Sequence, residues 1–201
     1  MHDASEIVDY WLADSRVSAA AAFAQKDRWY RGGPSVDVEI ASQFRTEVDA
    51  ALTGDLESWY LDATGALAVV ILLDQFCRTL FRGTAKAFSG DPKALQIAQA
   101  AIDAGLDRQM SVPGRVFFYH PYHHAESSAA QERALALIES IRIDAASEWH
   151  AYIDASLKGF GGHRDIVARF GRYPHRNAVL GRTSTLAEIA YLDAGAQRFG
   201  Q

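Results

Sequence analysis

The sequence contains a single cysteine, Cys77, among 201 residues. One thiol cannot form a disulfide within the chain or build a zinc site from several thiolates. The longest apolar run, residues 66–73, has 8 residues and is too short to cross a bilayer. The amino terminus lacks a basic stretch followed by an apolar one, which predicts no signal peptide. We therefore expect a cytoplasmic protein in a reducing compartment, without a membrane segment.

Excess positive charge and the common nucleotide-binding motifs are also absent. The formal net charge is -5 at pH 7, which argues against sequence-independent binding of nucleic acid. The chain has no Walker loop, dinucleotide glycine fingerprint or nucleophile elbow. Hydrophobic residues make up 49% of the chain, enough for a core of normal size. These features leave the binding of one small anion open.

Apolar residues recur at helical spacing along most of the chain, and alternating strand patterns are scarce. This predicts an all-α protein of about eight to ten helices, in one domain over residues 1–201. Short connections favour an irregular helical bundle or a superhelix of paired antiparallel helices. Residues 64–82 are predicted to form a central helix, because their first half is apolar on every side. Thr185 and Glu188 form a capping box for the last helix, expected to end near Gln197.

Prolines and glycines predict where helices start and stop. Asp91 and Pro92 predict a helix start, with Asp91 as the N-cap. Pro121 predicts a break in a segment that contains several histidines. Residues 159–162, with the sequence Gly-Phe-Gly-Gly, predict a break between two helices.

The strongest functional signal lies in residues 169–182, which we call the arginine segment. It contains four arginines and one histidine and has no acidic residue. The planar guanidinium group suits bidentate contact with carboxylate or phosphate, and the helix start at Thr185 offers free N–H groups. The predicted ligand-binding residues of this segment are Arg169, Arg172, Arg176, Asn177 and Arg182. His175 is a candidate acid–base group. The alternative is that carboxylates such as Asp74 and Glu126 pair with these arginines and tie neighbouring helices together.

A second cluster lies on the predicted central helix. Asp74 and Arg78 are four residues apart and share a helix face with Gln75 and Arg82. A buried aspartate and arginine must pair, because an isolated buried charge is very costly. Asp74, Gln75 and Arg78 are therefore either a structural ion-pair group or ligand-binding residues at the floor of a polar pocket.

The third cluster combines His120, His123, His124 and Glu126. An imidazole beside a carboxylate can transfer protons, so His124 and Glu126 are candidate catalytic residues. The spacing matches no metal-binding motif, and the expected break at Pro121 separates His120 from His124. We therefore predict no metal ion and no cofactor. The structural alternative is a hydrogen-bonded junction between a loop and a helix.

Several motifs resemble those of the mainly bacterial family known as domain of unknown function 924. They are Leu-Leu-Asp-Gln-Phe-Cys-Arg at 72–78, Phe-Arg-Gly at 81–83, His-Ala-Glu at 124–126, Arg-Phe-Gly-Arg-Tyr-Pro-His-Arg-Asn at 169–177 and Leu-Gly-Arg at 180–182. The resemblance extends over residues 29–199. It implies an all-helical fold related to tetratricopeptide proteins and brings no established activity.

The resemblance also indicates where the chain matches the family's motifs and where it differs from them. The positions that fall in its motifs are Asp74, Gln75, Arg78, His124, Glu126, Gln131, His163, Arg169, Arg172, His175, Arg176, Asn177 and Arg182. The chain departs from the pattern at Cys77, where proline is usual, and at Thr79, where asparagine is usual. Small or apolar residues are usual where His120 and His123 stand. Those two histidines are therefore poor candidates for a site shared by the family.

These observations predict a protein that binds a small anionic molecule in a pocket lined by arginine and histidine. The sequence leaves open whether the protein is an enzyme. The rival prediction is an interaction module that binds an acidic peptide in a basic groove, with purely structural ion pairs. A closed pocket favours the first prediction, and a long open groove favours the second. We expect no nucleic-acid or membrane partner, and the sequence does not predict an oligomeric state.

Overall fold

The computed structural model describes residues 1–196, and this part of the chain contains helices and turns without a β-strand. The prediction of an all-α protein is therefore confirmed. The nine α-helices of this range are α1 Ala4–Leu12, α2 Ala19–Tyr30, α3 Pro34–Thr53, α4 Ala63–Leu80, α5 Asp91–Asp103, α6 Val112–His124, α7 Ser128–Asp144, α8 His150–Phe170 and α9 Leu186–Asp193.

Helix α4 lies at the centre of the hydrophobic core, and α1, α3, α5 and α6 pack against it. Its length and mean hydropathy of 1.4 would allow it to span a membrane, but 78% of it is buried inside the protein. It therefore acts as the core helix of this fold. Helix α7 packs against α6 on one side and α8 on the other, joined by short connections. This packing of consecutive helices is compatible with the expected tetratricopeptide-like arrangement.

The middle of α4 changes its helical pitch. Ile71–Phe76 forms a π-helical segment between the α-helical stretches Ala63–Val70 and Cys77–Leu80. A π segment closes wider turns than an α-helix and is common at functional sites. The segment carries Asp74 and Gln75. Sequence periodicity predicted the helix at residues 64–82 but not this local change.

Two predicted helix breaks are wrong. Helix α6 continues through Pro121 to His124, and α8 continues through residues 159–162. Proline and glycine both disfavour a helix interior, glycine by about 1 kcal/mol relative to alanine. Burial overrides this preference, because every residue from 113 to 123 is buried and α8 is anchored by Ile153 and Phe160. The two helices pack together, which brings their histidines close to one another.

The predicted helix ends are correct to within a few residues. Gly90, not Asp91, is the N-cap of α5, so Asp91 is the first helical residue. The capping box of Thr185 and Glu188 is present at the start of α9. That helix ends at Asp193, and the predicted end near Gln197 lies outside the described residues.

Candidate functional site: a cavity lined by arginines and histidines

A cavity of about 170 Å³ lies between α2, α4, α6 and α8. Its walls include the aromatic rings of Trp11, Trp29 and Tyr30. Among the residues that line it within the described range 1–196, Asp37 is the single carboxylate. The basic residues that line it are Arg28, Arg31, Arg78, Arg82, His120, His123, His124 and His163.

Asp74 does not itself line the cavity: its side chain is fully buried on the π segment of α4 and holds polar residues that do. One carboxylate oxygen lies 2.8 Å from His124 Nδ1 and 3.2 Å from an Arg78 nitrogen. The other accepts a 2.5 Å hydrogen bond from Gln75 Nε2. Arg78 also contacts Asp91 at 2.9 Å. The ion pair expected from the spacing of Asp74 and Arg78 is therefore present, and Gln75, Arg78 and His124 all line the cavity.

The four histidines use their ring nitrogens differently. His120 contacts protein groups through both nitrogens, with Nδ1 2.8 Å from the Val116 carbonyl oxygen and Nε2 3.3 Å from the Tyr30 hydroxyl. His124 Nδ1 faces Asp74, and His163 Nδ1 lies 3.1 Å from the Gly159 carbonyl oxygen. His123 Nδ1 is buried and has no hydrogen-bond partner within the described chain.

Burial controls the protonation of these imidazoles. Burial, aided by neighbouring positive charge, lowers the pKa values of His123 and His124 well below their usual range. Burial also lowers the pKa of His163 to about 4, against the opposing hydrogen bond to the Gly159 backbone. All three rings are therefore neutral at pH 7. A neutral imidazole keeps one nitrogen lone pair that can accept a proton or bind a metal ion.

The arginine segment lies beside the cavity, but two of its arginines form ion pairs with carboxylates of the protein. Arg172 binds Glu188 with both branches of its guanidinium, at 2.6 and 2.8 Å. Arg182 binds Glu126 at 2.5 and 2.9 Å. Glu188 also accepts the Thr185 N–H at 2.7 Å. A carboxylate of the protein itself therefore occupies the helix start that the sequence predicted as an anion site.

Arg176 and Arg169 mainly contact aromatic rings. The Arg176 guanidinium lies 4.6 Å from the Phe88 ring and 4.5 Å from the Tyr173 ring, and 3.4 Å from an Asp91 oxygen. Arg169 lies 4.7 Å from the ring of Phe170. The Arg176 contacts join the turn after α8 to Phe88 and to Asp91 at the start of α5.

Three other predicted site residues lie outside the cavity lining. The Asn177 side chain donates to Ser184 Oγ and accepts from Arg182. Glu126 also accepts the Tyr173 N–H at 2.8 Å, so both of its oxygens have protein donors. The His175 ring lies next to Tyr173, and burial lowers its pKa to about 3. The three predicted clusters are therefore neighbours, but only the central-helix and histidine clusters share the cavity.

Sequence reasoning missed several residues of the cavity. Arg28, Arg31, Trp11 and Trp29 were not singled out, although all four line the cavity. His123 was set aside because the family resemblance implied a small or apolar residue at its position, and the break expected at Pro121 separated His120 from His124. The spacing of three and four residues among His120, His123 and His124 would have indicated one helical face if the helix had been assumed to continue.

The described residues form an all-helical fold with a cavity lined by basic residues, four of them histidines. The chain is a member of the family described as bacterial protein of unknown function (DUF924), which matches residues 7–196. It is similar to the solved structure of a protein of unknown function, ATU0120 from Agrobacterium tumefaciens, with 38% identity and a TM-score of 0.79. That similarity covers 96% of this chain and 97% of the other. No curated protein matches the sequence. The resemblance inferred from the motifs is thus confirmed.

Proposed function

We propose that the protein binds a small anionic molecule, bearing a carboxylate or a phosphate group, in the cavity between α2, α4, α6 and α8. The observation that carries this proposal is the composition of the lining, in which four arginines stand with one carboxylate, that of Asp37. Each arginine also pairs with an acidic side chain of the protein, so a ligand would compete with or share these pairs. The cavity volume of about 170 Å³ suits a compact ligand. Typical pockets for drug-sized molecules are larger, about 300–1,000 Å³.

The arginines at the cavity differ in how they are held. Arg28 binds Glu39 with both branches of its fork, and Arg78 binds Asp74 and Asp91, so these two shape the walls. The side chain of Arg31 is 82% exposed, and its ion pair with the equally exposed Asp27 is 3.4 Å long. Such an exposed pair contributes little to stability. Arg31 can therefore turn toward a bound anion at low cost.

Arg82 is the second expected anion contact. Its side chain is 38% exposed and binds Asp37 with two nitrogens, at 2.9 and 3.0 Å. A ligand that brings its own negative charge would share this guanidinium with Asp37. The two exposed arginines lie on the connection after α2 and after the end of α4, and both line the cavity.

Two of the four tryptophans give a direct optical signal for binding. Trp11 and Trp29 line the cavity, and the Trp29 indole N–H donates to the Trp11 carbonyl oxygen at 2.8 Å. An anion that enters beside them changes their electrostatic environment. We expect inorganic phosphate or succinate to change the intrinsic fluorescence in a saturable way.

The test is binding of phosphate and succinate to the whole chain, measured by fluorescence and by thermal unfolding. Ligand at ten times its Kd should stabilise the protein by about 1.4 kcal/mol, which raises Tm by about 3–6 °C for a chain of this size. Arg31→Gln and Arg82→Gln should each weaken binding at least tenfold. Arg142→Gln is the matched control, because its side chain is 36% exposed and pairs with Asp154 away from the cavity. No saturable signal with either anion at millimolar concentration would contradict the proposal.

The wider depression beside α8 supports a second candidate, the binding of an acidic peptide. It has a volume of about 800 Å³ and is lined by residues of α2, α8 and α9. Lys26, Arg31, Lys158 and Arg169 give it a basic surface, with Asp165 on its edge. An oligoglutamate peptide should bind the protein, and Lys158→Gln should weaken that binding while phosphate binding in the cavity is unchanged. Phosphate binding in the cavity without binding of oligoglutamate would favour the small anion as the ligand.

A further inference from the structure

His123, His124 and His163 form a compact group at one end of the cavity, which we call the histidine cluster. Helix α6 supplies the first two residues and α8 supplies the third. The nitrogens that each ring can offer all lie within 4.8 Å of one another. In a tetrahedral zinc site, with Zn–N bonds of 2.0–2.1 Å, ligand nitrogens are about 3.4 Å apart. Small side-chain rotations are enough to reach that separation.

The hydrogen bonds of the cluster orient two of the rings for metal binding. His124 presents Nδ1 to Asp74 at 2.8 Å, and His163 presents Nδ1 to the Gly159 carbonyl oxygen at 3.1 Å. When Nδ1–H donates to an acceptor, the lone pair of the neutral ring lies on Nε2. Metal-binding histidines in proteins commonly use a carboxylate or a backbone carbonyl in this way. The same arrangement is present here on two independent helices.

The third ring carries a buried nitrogen without a partner. His123 is 5% exposed, and its Nδ1 has no hydrogen bond within the described residues. The ring stacks on His163, with centroids 4.3 Å apart and an angle of 14° between the planes. Leaving a buried polar atom without a hydrogen-bond partner destabilises the folded state. A bound cation would supply the missing partner, because a metal ion accepts the lone pair that no donor of the protein reaches.

The groups around the cluster determine which metal ions it can bind and where a bound ion keeps an open coordination position. His120 does not join the cluster, because both of its nitrogens contact protein groups. The cluster contains neither a thiolate nor a carboxylate ligand, so it suits a borderline transition metal and not Ca²⁺ or Mg²⁺. Asp74 offsets the positive charge of Arg78 beside it, at 3.2 Å. All three histidines line the cavity, so a bound metal would retain a coordination position open to solvent or ligand.

We propose that His123, His124 and His163 bind one divalent transition-metal ion, with Zn²⁺ as the best fit, and that Asp74 and the Gly159 carbonyl orient two of the rings. The inference does not depend on anion binding by the arginines of the cavity.

The test uses the full chain after removal of metals with a chelator and dialysis against ZnCl₂, followed by elemental analysis. We expect one zinc per chain in the wild type, and background zinc in His123→Phe and in His163→Gln. His150→Gln is the matched control, because His150 lies on the same helix as His163 and outside the cavity. Circular dichroism confirms that each variant is folded. Because His163 is only partly buried, that variant is expected to fold even if His123→Phe does not.

Substitution with Co²⁺ and X-ray absorption at the zinc edge should both report three imidazole nitrogens. A wild type without stoichiometric zinc would overturn the inference, and so would zinc binding unaffected in His163→Gln. Phosphate titration of the metal-free protein separates the two proposals. Phosphate binding without zinc binding contradicts only the metal site, and zinc binding without any anion binding contradicts only the proposed function.

Discussion

The histidine cluster and the arginine segment are both rich in basic side chains, yet the fold treats them in opposite ways. In the arginine segment, Arg172 and Arg182 each find a carboxylate of the protein within 3 Å. In the histidine cluster, His123 has a buried nitrogen with no partner within the described chain. A dense group of charges in the sequence can therefore serve largely as scaffold, although Arg176 Nε in that segment is also buried without a hydrogen-bond partner in the described chain. What distinguishes His123 is that its ring also lines the cavity.

Acidification should have the largest effect on the free energy of unfolding. It tests one histidine in each region, His163 in the histidine cluster and His175 in the arginine segment. Burial lowers the pKa of His163 to about 4 and that of His175 to about 3, against 6.5 for an unperturbed histidine. Below pH 6.5 the unfolded chain therefore binds more protons than the native protein, and acid favours unfolding. Each histidine should remove up to about 1.4 kcal/mol of stability per pH unit, or roughly 3 kcal/mol for both between pH 6.5 and pH 5.

Urea unfolding of the metal-free protein at a series of pH values measures this effect. His163→Gln and His175→Gln should each lower the slope of stability against pH, the first for the cavity and the second for the arginine segment. A slope equal to that of the wild type in both variants would show that neither histidine is held neutral by the fold.

Removing a carboxylate from the arginine segment should have the next largest effect. Glu126→Gln leaves Arg182 without its charge partner and weakens the acceptor for the Tyr173 N–H. We expect a loss of about 2–3 kcal/mol in the free energy of unfolding, since the substitution breaks a partly buried ion pair and weakens a backbone hydrogen bond. Glu132→Gln is the control, because its ion pair with Arg164 is exposed and should contribute less than about 1 kcal/mol. Equal losses of stability in the two variants would show that the Glu126–Arg182 pair contributes no more than an exposed ion pair.

The close packing beneath the cavity can be tested at a glycine. A Cβ atom on Gly90 would lie 2.5 Å from the carbonyl oxygen of Leu73, in the π segment that carries Asp74. Gly90→Ala should therefore lower stability by about 2 kcal/mol through overpacking. Gly159→Ala, in the interior of α8 with open space around its Cβ, should instead raise stability by up to about 1 kcal/mol. Thermal unfolding measures both, and a neutral Gly90→Ala would show that the π segment tolerates displacement.

The smallest expected effect distinguishes two neighbouring histidines. In metal-free protein, His123→Phe should raise stability by about 1 kcal/mol, because it removes a buried nitrogen that has no partner. His120→Phe should lower stability by about 1 kcal/mol, because the contacts to Val116 and Tyr30 are lost. Both variants replace a histidine with phenylalanine, and both positions lie on α6. Equal changes in the urea midpoint would contradict the distinction between the two rings.

Most of the fold could be predicted from the sequence because helical periodicity and capping are local properties. The capping box at Thr185 and the apolar helix over residues 64–82 were recognised for this reason. The predictions failed at Pro121 and at residues 159–162, where local preference disagreed with the structure. At both places, burial of the surrounding side chains outweighs the preference of proline and glycine, and burial depends on the whole fold.

The sequence by itself determined the helical class, the family and the concentration of arginine in residues 169–182. Only the tertiary structure decided which of these basic groups are already paired. Asp91 lies 85 residues from Arg176 and Glu126 lies 56 residues from Arg182, so no local pattern could assign these partners. The same holds for the cavity, which exists because α6 and α8 bring His123 and His163 together across 40 positions of the chain.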